Sequence, residues 1–280
     1  MKKRMITEKL IEEFKNNLRM EEKSLATISK YIHDVNVFSE YTNGQCITKD
    51  IVIQYKEYLL KNYAIRSVNS MLASINCLFA FLGWNDCSVK SIKIQRQIFR
   101  SAEKELTKQE YFRLVQAAKS KGNKRLYLLL QTICGTGIRV SELKFITVEA
   151  VKSGQAIVSN KGKTRSVFIV RNLQNKLMHY IKEIGITTGI VFRTSKGNPI
   201  SRSNIWKDMK NLCTQANVNP NKVFPHNLRH LFARTFYSIE KDIAKLADIL
   251  GHSGIDTTRI YIMATGCEHQ QRMENLRLII

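Results

Sequence analysis

The stretch PHNLRHLFARTFYSIEKDIAKLADILGHSGIDTTRIY, residues 225–261, decides the fold. PHNLRHLFARTFYSIE and KDIAKLADILGH each repeat apolar residues at helical spacing, so helices are expected in both. Between and after those apolar positions stand His226, Arg229, His230, His252 and Tyr261. Singly they say little. His226 and His230 are four apart on a helix, as in a zinc site, but Asn227 stands where a metalloprotease needs Glu. A lone tyrosine such as Tyr261 is more often a half-buried aromatic anchor than a nucleophile.

Working back from this stretch, helical patterns alternate with few strands. ISRSNIWKDMKNLCTQA and RNLQNKLMHYIKEIG read as helices, and IVF at 190–192 reads as a short strand before the turn SKGNP. QAIVSNKGKTRSVFIV places two β-rich runs around Asn160-Lys161-Gly162-Lys163, which predicts a hairpin with a basic turn. GTGIRVSEL, residues 135–143, sets Arg139 between a turn and a short amphipathic run. A buried charge there needs a partner, and Glu142, three residues on, is placed to supply one. GTG is no dinucleotide fingerprint, since no strand with G-x-G-x-x-G precedes it. TKQE at 107–110 has the form of a capping box opening this region.

Residues 1–95 read as all-helical. TEKLIEEFKNNL, SLATISKYIHDVNVFSEYT, TKDIVIQYKEYLLKN and AIRSVNSMLASINCLFAFLGW each carry a helical period, which predicts a small four-helix bundle. In the second of these Ser24 is the expected N-cap, with Leu25, Ile28, Tyr31, Ile32, Val35 and Phe38 on one face. KSIKIQRQIFRSAEKE, basic and without helical period, reads as a linker that either loops out or lies along phosphates.

Composition limits the partners. The 280 residues suffice for two domains with separate cores. A net charge of +22, from 45 Lys and Arg against 23 Asp and Glu, points to a polyanion, with nucleic acid ahead of a ribosomal surface. No apolar run approaches the ~20 residues of a membrane span. The start MKKRMITEKL lacks the apolar core of a signal peptide, so a cytoplasmic protein is expected. Six cysteines without C-x-x-C pairs or Cys/His clusters read as reduced thiols.

GIRVSEL, SNKGKTR, PHNLRH, LGHSG and TTRIY, in this order, closely resemble the tyrosine recombinase family, also called the phage-integrase or Xer-like family. The resemblance extends over nearly the whole chain. It implies a fold that is mainly α with a small β-sheet: a helical N-terminal core-binding (SAM-like) domain at 1–90, a basic linker at 91–105, and a mixed α/β catalytic domain at 106–280 with a C-terminal tail helix. It implies a catalytic set of Arg139, Lys161, His226, Arg229, His252 and Tyr261, with no metal and no cofactor. Tyr261 would form a 3′-phosphotyrosine, His226 would act as general base, His252 would bond the phosphate or orient the tyrosine, and Lys161 would protonate the leaving 5′ oxygen. The turn is one residue shorter than the family commonly has, so Lys163 competes with Lys161. His230 takes a structural place.

The chemistry explains such a set. Attack at phosphorus builds charge on two non-bridging oxygens, which the guanidinium forks of Arg139 and Arg229 match bidentately without a metal. A phenol with an ordinary pKa of ~10 needs a base to react at neutral pH. The partners implied are double-stranded DNA core sites gripped between the two domains, a homo-tetramer joined through the tail GCEHQQRMENLRLII, accessory DNA-bending proteins, and no membrane. The other reading of the tail is a helix packed on its own domain. Two rivals remain, a non-catalytic DNA-binding relative and a type IB topoisomerase-like relaxase. Integration, excision and resolution share this chemistry.

Overall fold

The computed structural model describes residues 4–94, 102–160, 162–263, 270 and 273–276. The chain forms two compact units, Met1–Arg96 and Gln97–Ile280. The expected linker at 91–105 spans that boundary, and its residues 95–101 lie outside the described ones, as does most of the tail after residue 263.

Among the described residues, the regular elements of the first unit are all helices. It comprises α1 (Glu8–Met20), α2 (Leu25–Thr42), α3 (Lys49–Asn62) and α4 (Ile65–Leu82). Thr7, Ser24 and Thr48 cap the first three, each side-chain oxygen accepting a first-turn N–H. Phe14, Leu18, Ile28, Val35, Phe38, Tyr55, Leu72, Ile75 and Phe79 fill the core. Leu25 departs from the expected face: it is 81% exposed, because the first residue of the helix sits beyond the reach of the packed stripe. Ser74 donates to the buried Asp34 carboxylate at 2.6 Å, and Lys30 pairs with the same oxygen, so this internal charge is compensated. α4 is long and apolar enough to cross a membrane by length and composition, with a mean hydropathy of 1.4 over 18 residues. Val68, Leu72, Ile75, Leu78 and Phe79 instead place that apolar surface inside the unit's own core.

The second unit opens with α5 (Lys108–Ser120), where Thr107 and Glu110 form the expected capping box. It continues through α6 (Lys124–Thr136), a 3-10 turn at Val140–Phe145 and α7 (Val148–Ser153). β1 (Gln155–Asn160) pairs antiparallel with β2 (Lys163–Phe168), and the register Asn160↔Lys163 leaves a two-residue turn. Gly162 takes φ 73°, which suits the tight connection. Then come α8 (Arg171–Glu183), α9 (Arg202–Lys210), α10 (Cys213–Ala216), α11 (Pro225–Glu240), α12 (Ile243–Leu250) and α13 (Ile255–Ile262). IVF does not form a strand. Ile190 and Arg193 make isolated bridges to Thr147 and Pro199, too short a pairing to propagate a ladder. The core joins α5, α6, α8 and α11 through residues such as Leu114, Leu129, Ile133, Leu177 and Leu228. Among the described cysteines all five are free thiols.

Candidate active site

α6 and α12 both end in glycine at positive φ, Gly137 at 65° and Gly251 at 62°. Each ending exposes carbonyls that the helix itself cannot satisfy. Arginines take them. Arg229, on α11, is 1% exposed and donates from Nη1 to the Gly137 carbonyl and from Nη2 to the Leu250 carbonyl at 2.7 Å. Arg139 donates from Nη2 to the Gly251 carbonyl at 3.2 Å, and Arg165 from Nε to the Ile249 carbonyl at 3.3 Å. The negative end of a helix dipole thus faces three guanidinium groups. Neither glycine has room for a side chain: a Cβ at Gly137 would stand 2.5 Å from the Phe232 ring, and one at Gly251 would stand 2.6 Å from Arg165 Cδ.

Glu142 is the counter-ion. It is 1% exposed, accepts from the Arg139 backbone N–H at 3.0 Å and from Arg139 Nη1 at 3.1 Å. The partner expected from the spacing in GIRVSEL is therefore present. Burial alone would raise this carboxyl, but hydrogen bonds from Arg165 and Arg139 outweigh it and hold it at about 2. Burial, with repulsion from Arg139, lowers the Arg229 guanidinium to about 10, still charged at neutral pH. Its buried Nε finds no acceptor among the described residues.

His252 follows α12. Nε2 lies 3.0 Å from Arg229 Nη2 and Nδ1 lies 2.9 Å from Thr258 Oγ1. A guanidinium can only donate, so Nε2 accepts, and the ring proton sits on Nδ1 and points to Thr258. Burial, then the charges of Arg229, Arg139 and Arg165, lower this imidazole to about 4, so it is neutral at pH 7.

Tyr261, on α13, is 6% exposed and stands among these groups. Its ring centroid is 4.0 Å from that of His230 in a stack, 5.3 Å from His226 and 5.0 Å from His252. Arg229 Cζ lies 5.9 Å from the same ring. His226 is at the exposed start of α11, one turn before the buried His230. Five of the six residues picked out in the sequence, Arg139, His226, Arg229, His252 and Tyr261, thus occupy one site. Lys161 lies outside the described residues; Lys163 opens β2 and its side chain is likewise undescribed. No cluster able to hold a metal occurs among the described residues.

Sequence reasoning missed Arg165 and Thr258. Arg165 had a signal: it shares a strand face with Val167, which is 3% exposed, so the alternation aims a charge inward. Thr258 had none, being one buried threonine in a helix.

Both lowered groups bind the acid limb of stability. His252 takes protons in the unfolded chain from 6.5 downward but in the folded chain only near 4, so stability falls across that interval. Glu142 adds a second loss from 4.5 to about 2. The expected result is an unfolding midpoint that drops in two stages on acidification, read by denaturant titration at several pH values. His252→Asn should remove the upper stage only; retention of that stage would locate it elsewhere.

The model of the phage integrase family matches residues 104–266, and that of the phage integrase N-terminal SAM-like domain matches residues 11–86. The chain is 28% identical to "Tyrosine recombinase XerA" of Pyrococcus furiosus, with 100% of this chain and 98% of that protein covered. It is 30% identical to the XerA of Pyrococcus horikoshii, with 98% and 96% covered. Its fold resembles that of a lambda integrase dimer bound to a COC′ core site, with a TM-score of 0.76, 16% identity, and 94% and 97% of the two chains covered.

Proposed function

The chain belongs to the phage integrase family of tyrosine recombinases, and from that membership we propose that it is a site-specific recombinase cleaving duplex DNA through a 3′-phosphotyrosine on Tyr261. The observation that carries the reading is the gathering of Tyr261, His226, His252, Arg229 and Arg139 around one point. The Tyr261 oxygen attacks phosphorus, forming the phosphotyrosyl bond and breaking the bond to the 5′ oxygen. His226 takes the phenolic proton, and Lys161 gives a proton to the leaving 5′ oxygen. Arg139 and Arg229 hold the non-bridging oxygens, and the unpaired Nε of Arg229 is one donor left for that purpose. His252, tied to Arg229 and Thr258, fixes the guanidinium and contacts the phosphate beside Tyr261.

The phosphotyrosyl bond keeps the energy of the phosphodiester. A 5′-hydroxyl from another strand therefore reverses the step without a nucleotide cofactor, and sequential exchange passes through a Holliday junction. Integration, excision or resolution of DNA elements in the cytoplasm is the resulting activity. Core-site DNA is held mainly through phosphates, in keeping with the +22 charge, so affinity falls steeply with salt.

Four protomers act together, joined by residues 267–280. Met273 and Leu276 in that tail are 59% and 61% exposed, which leaves apolar surface for a neighbour. Deleting 267–280 is expected to leave single-site binding intact and to reduce tetramer assembly on DNA by about tenfold or more, since a second-site contact acts through effective concentration. Analytical ultracentrifugation of the DNA complex reads this, and unchanged assembly would assign the tail to its own protomer.

The deciding experiment is covalent trapping in EDTA on nicked duplexes drawn from DNA flanking the gene. A denaturation-resistant adduct with a free 5′-hydroxyl is expected. Tight, salt-sensitive binding without an adduct on a duplex that the protein selects would instead indicate a DNA-binding relative without catalysis.

A further inference from the structure

Arg165 lies on β2, outside the set of residues that touch substrate in the proposed reaction. Its guanidinium grips Glu142 with both nitrogens, Nη1 to Oε1 at 3.0 Å and Nη2 to Oε2 at 2.7 Å. Its Nε reaches the Ile249 carbonyl at the end of α12. It passes directly beneath Gly251, where even a methyl group would collide with its Cδ. One side chain therefore joins the hairpin, the turn that carries Arg139, and the helix end that precedes His252.

The bonds at Glu142 show what this does. Each carboxylate oxygen accepts twice: Oε1 from Arg139 Nη1 and Arg165 Nη1, Oε2 from the Arg139 backbone N–H and Arg165 Nη2. A carboxylate offers about four acceptor sites, so it is saturated. Arg139 spends one guanidinium contact on it and a second on Gly251, and its side chain remains 34% exposed. Without Arg165 a buried anion would have a single cationic neighbour left. Glu142 would then turn its whole edge to Arg139, whose fork fits a carboxylate as well as it fits a phosphate.

We propose that Arg165 is a positioning residue that occupies Glu142 and so limits its hold on Arg139, leaving the remaining N–H donors of the Arg139 fork for the scissile phosphate. The inference rests on the recombinase reading above. Arg165 shares charge as well as packing: Glu142 is divided between two cations, and the site keeps net positive charge where the phosphate must sit.

The test is the rate of adduct formation on a nicked core site, measured beside DNA affinity and thermal midpoint for wild type, Arg165→Met, Arg165→Lys and the double variant Arg165→Met, Glu142→Gln. Arg165→Met is expected to slow adduct formation by about 10²-fold, the usual cost of displacing a positioning group, with affinity changed by less than about threefold. Arg165→Lys keeps charge but not the fork, and should fall between. The double variant removes the competing anion and should recover about tenfold of the lost rate at a temperature where the thermal midpoints show every variant folded, which separates positioning from stability. Wild-type cleavage with an unimpaired Arg165→Met, or a double variant slower than the single one, would overturn the inference alone. Absence of an adduct in wild type would overturn the underlying reading with it.

Discussion

Tyr261→Phe is expected to bind core-site DNA like the wild type and to form no covalent adduct. The substitution removes one oxygen and keeps the ring, so the stack on His230 at 4.0 Å and the edge contact with His226 at 5.3 Å survive. On the proposed reading, the phosphate contacts that dominate affinity belong to other residues. The loss of adduct should therefore be complete on a nicked substrate while the binding isotherm moves by less than about twofold. Denaturing electrophoresis beside a mobility-shift titration measures both. An adduct in the phenylalanine variant would transfer the nucleophile's role to another residue.

Arg139→Ala is the second large effect, and it separates chemistry from grip. Arg139 meets Glu142 and the Gly251 carbonyl on one side and solvent on the other. Its removal leaves Glu142 paired with Arg165, so no buried charge is stranded and the fold should hold. In the proposed reaction, what disappears is a fork aimed at charge that develops only in the transition state. Losing such a donor set costs about 10²–10³-fold in cleavage, against a small change in affinity. Arg139→Lys should remain impaired, because an ammonium cannot grip two oxygens in a plane. Single-turnover cleavage with parallel binding distinguishes the cases, and an equal loss of both would show that Arg139 merely seats the duplex.

Much of this was legible in the sequence for identifiable reasons. Helix starts were marked by side chains that bond their own backbone, as at Ser24 and the Thr107–Glu110 box. The amphipathic period found the buried stripe of α2 but admitted Leu25, since periodicity cannot tell where along a helix the neighbouring surface ends. IVF had strand composition, yet a strand also needs a partner of matching length, and Thr147 offers a single bridge. In the site, Arg139, His226, Arg229, His252 and Tyr261 were picked out because their motifs, taken in order, resemble those of the tyrosine recombinase family; singly they said little. The groups that hold them were less legible: the carbonyls of Gly137, Ile249, Leu250 and Gly251 have no side-chain signature, and their roles follow only from where two helices stop.

That last arrangement has a cost in robustness. Arg165, Arg229 and Arg139 all hang from three successive carbonyls at the end of one eight-residue helix, α12. The helix is held by Leu246 and Leu250, which pack with Ala233 and Tyr261 in a small cluster apart from the main core. Each arginine has a further hold, Arg139 and Arg165 on Glu142 and Arg229 on the Gly137 carbonyl. Whatever tilts α12 therefore strains one hold of each cation at once and displaces His252, so damage to its apolar face is expected to weaken the site as a unit instead of one contact at a time.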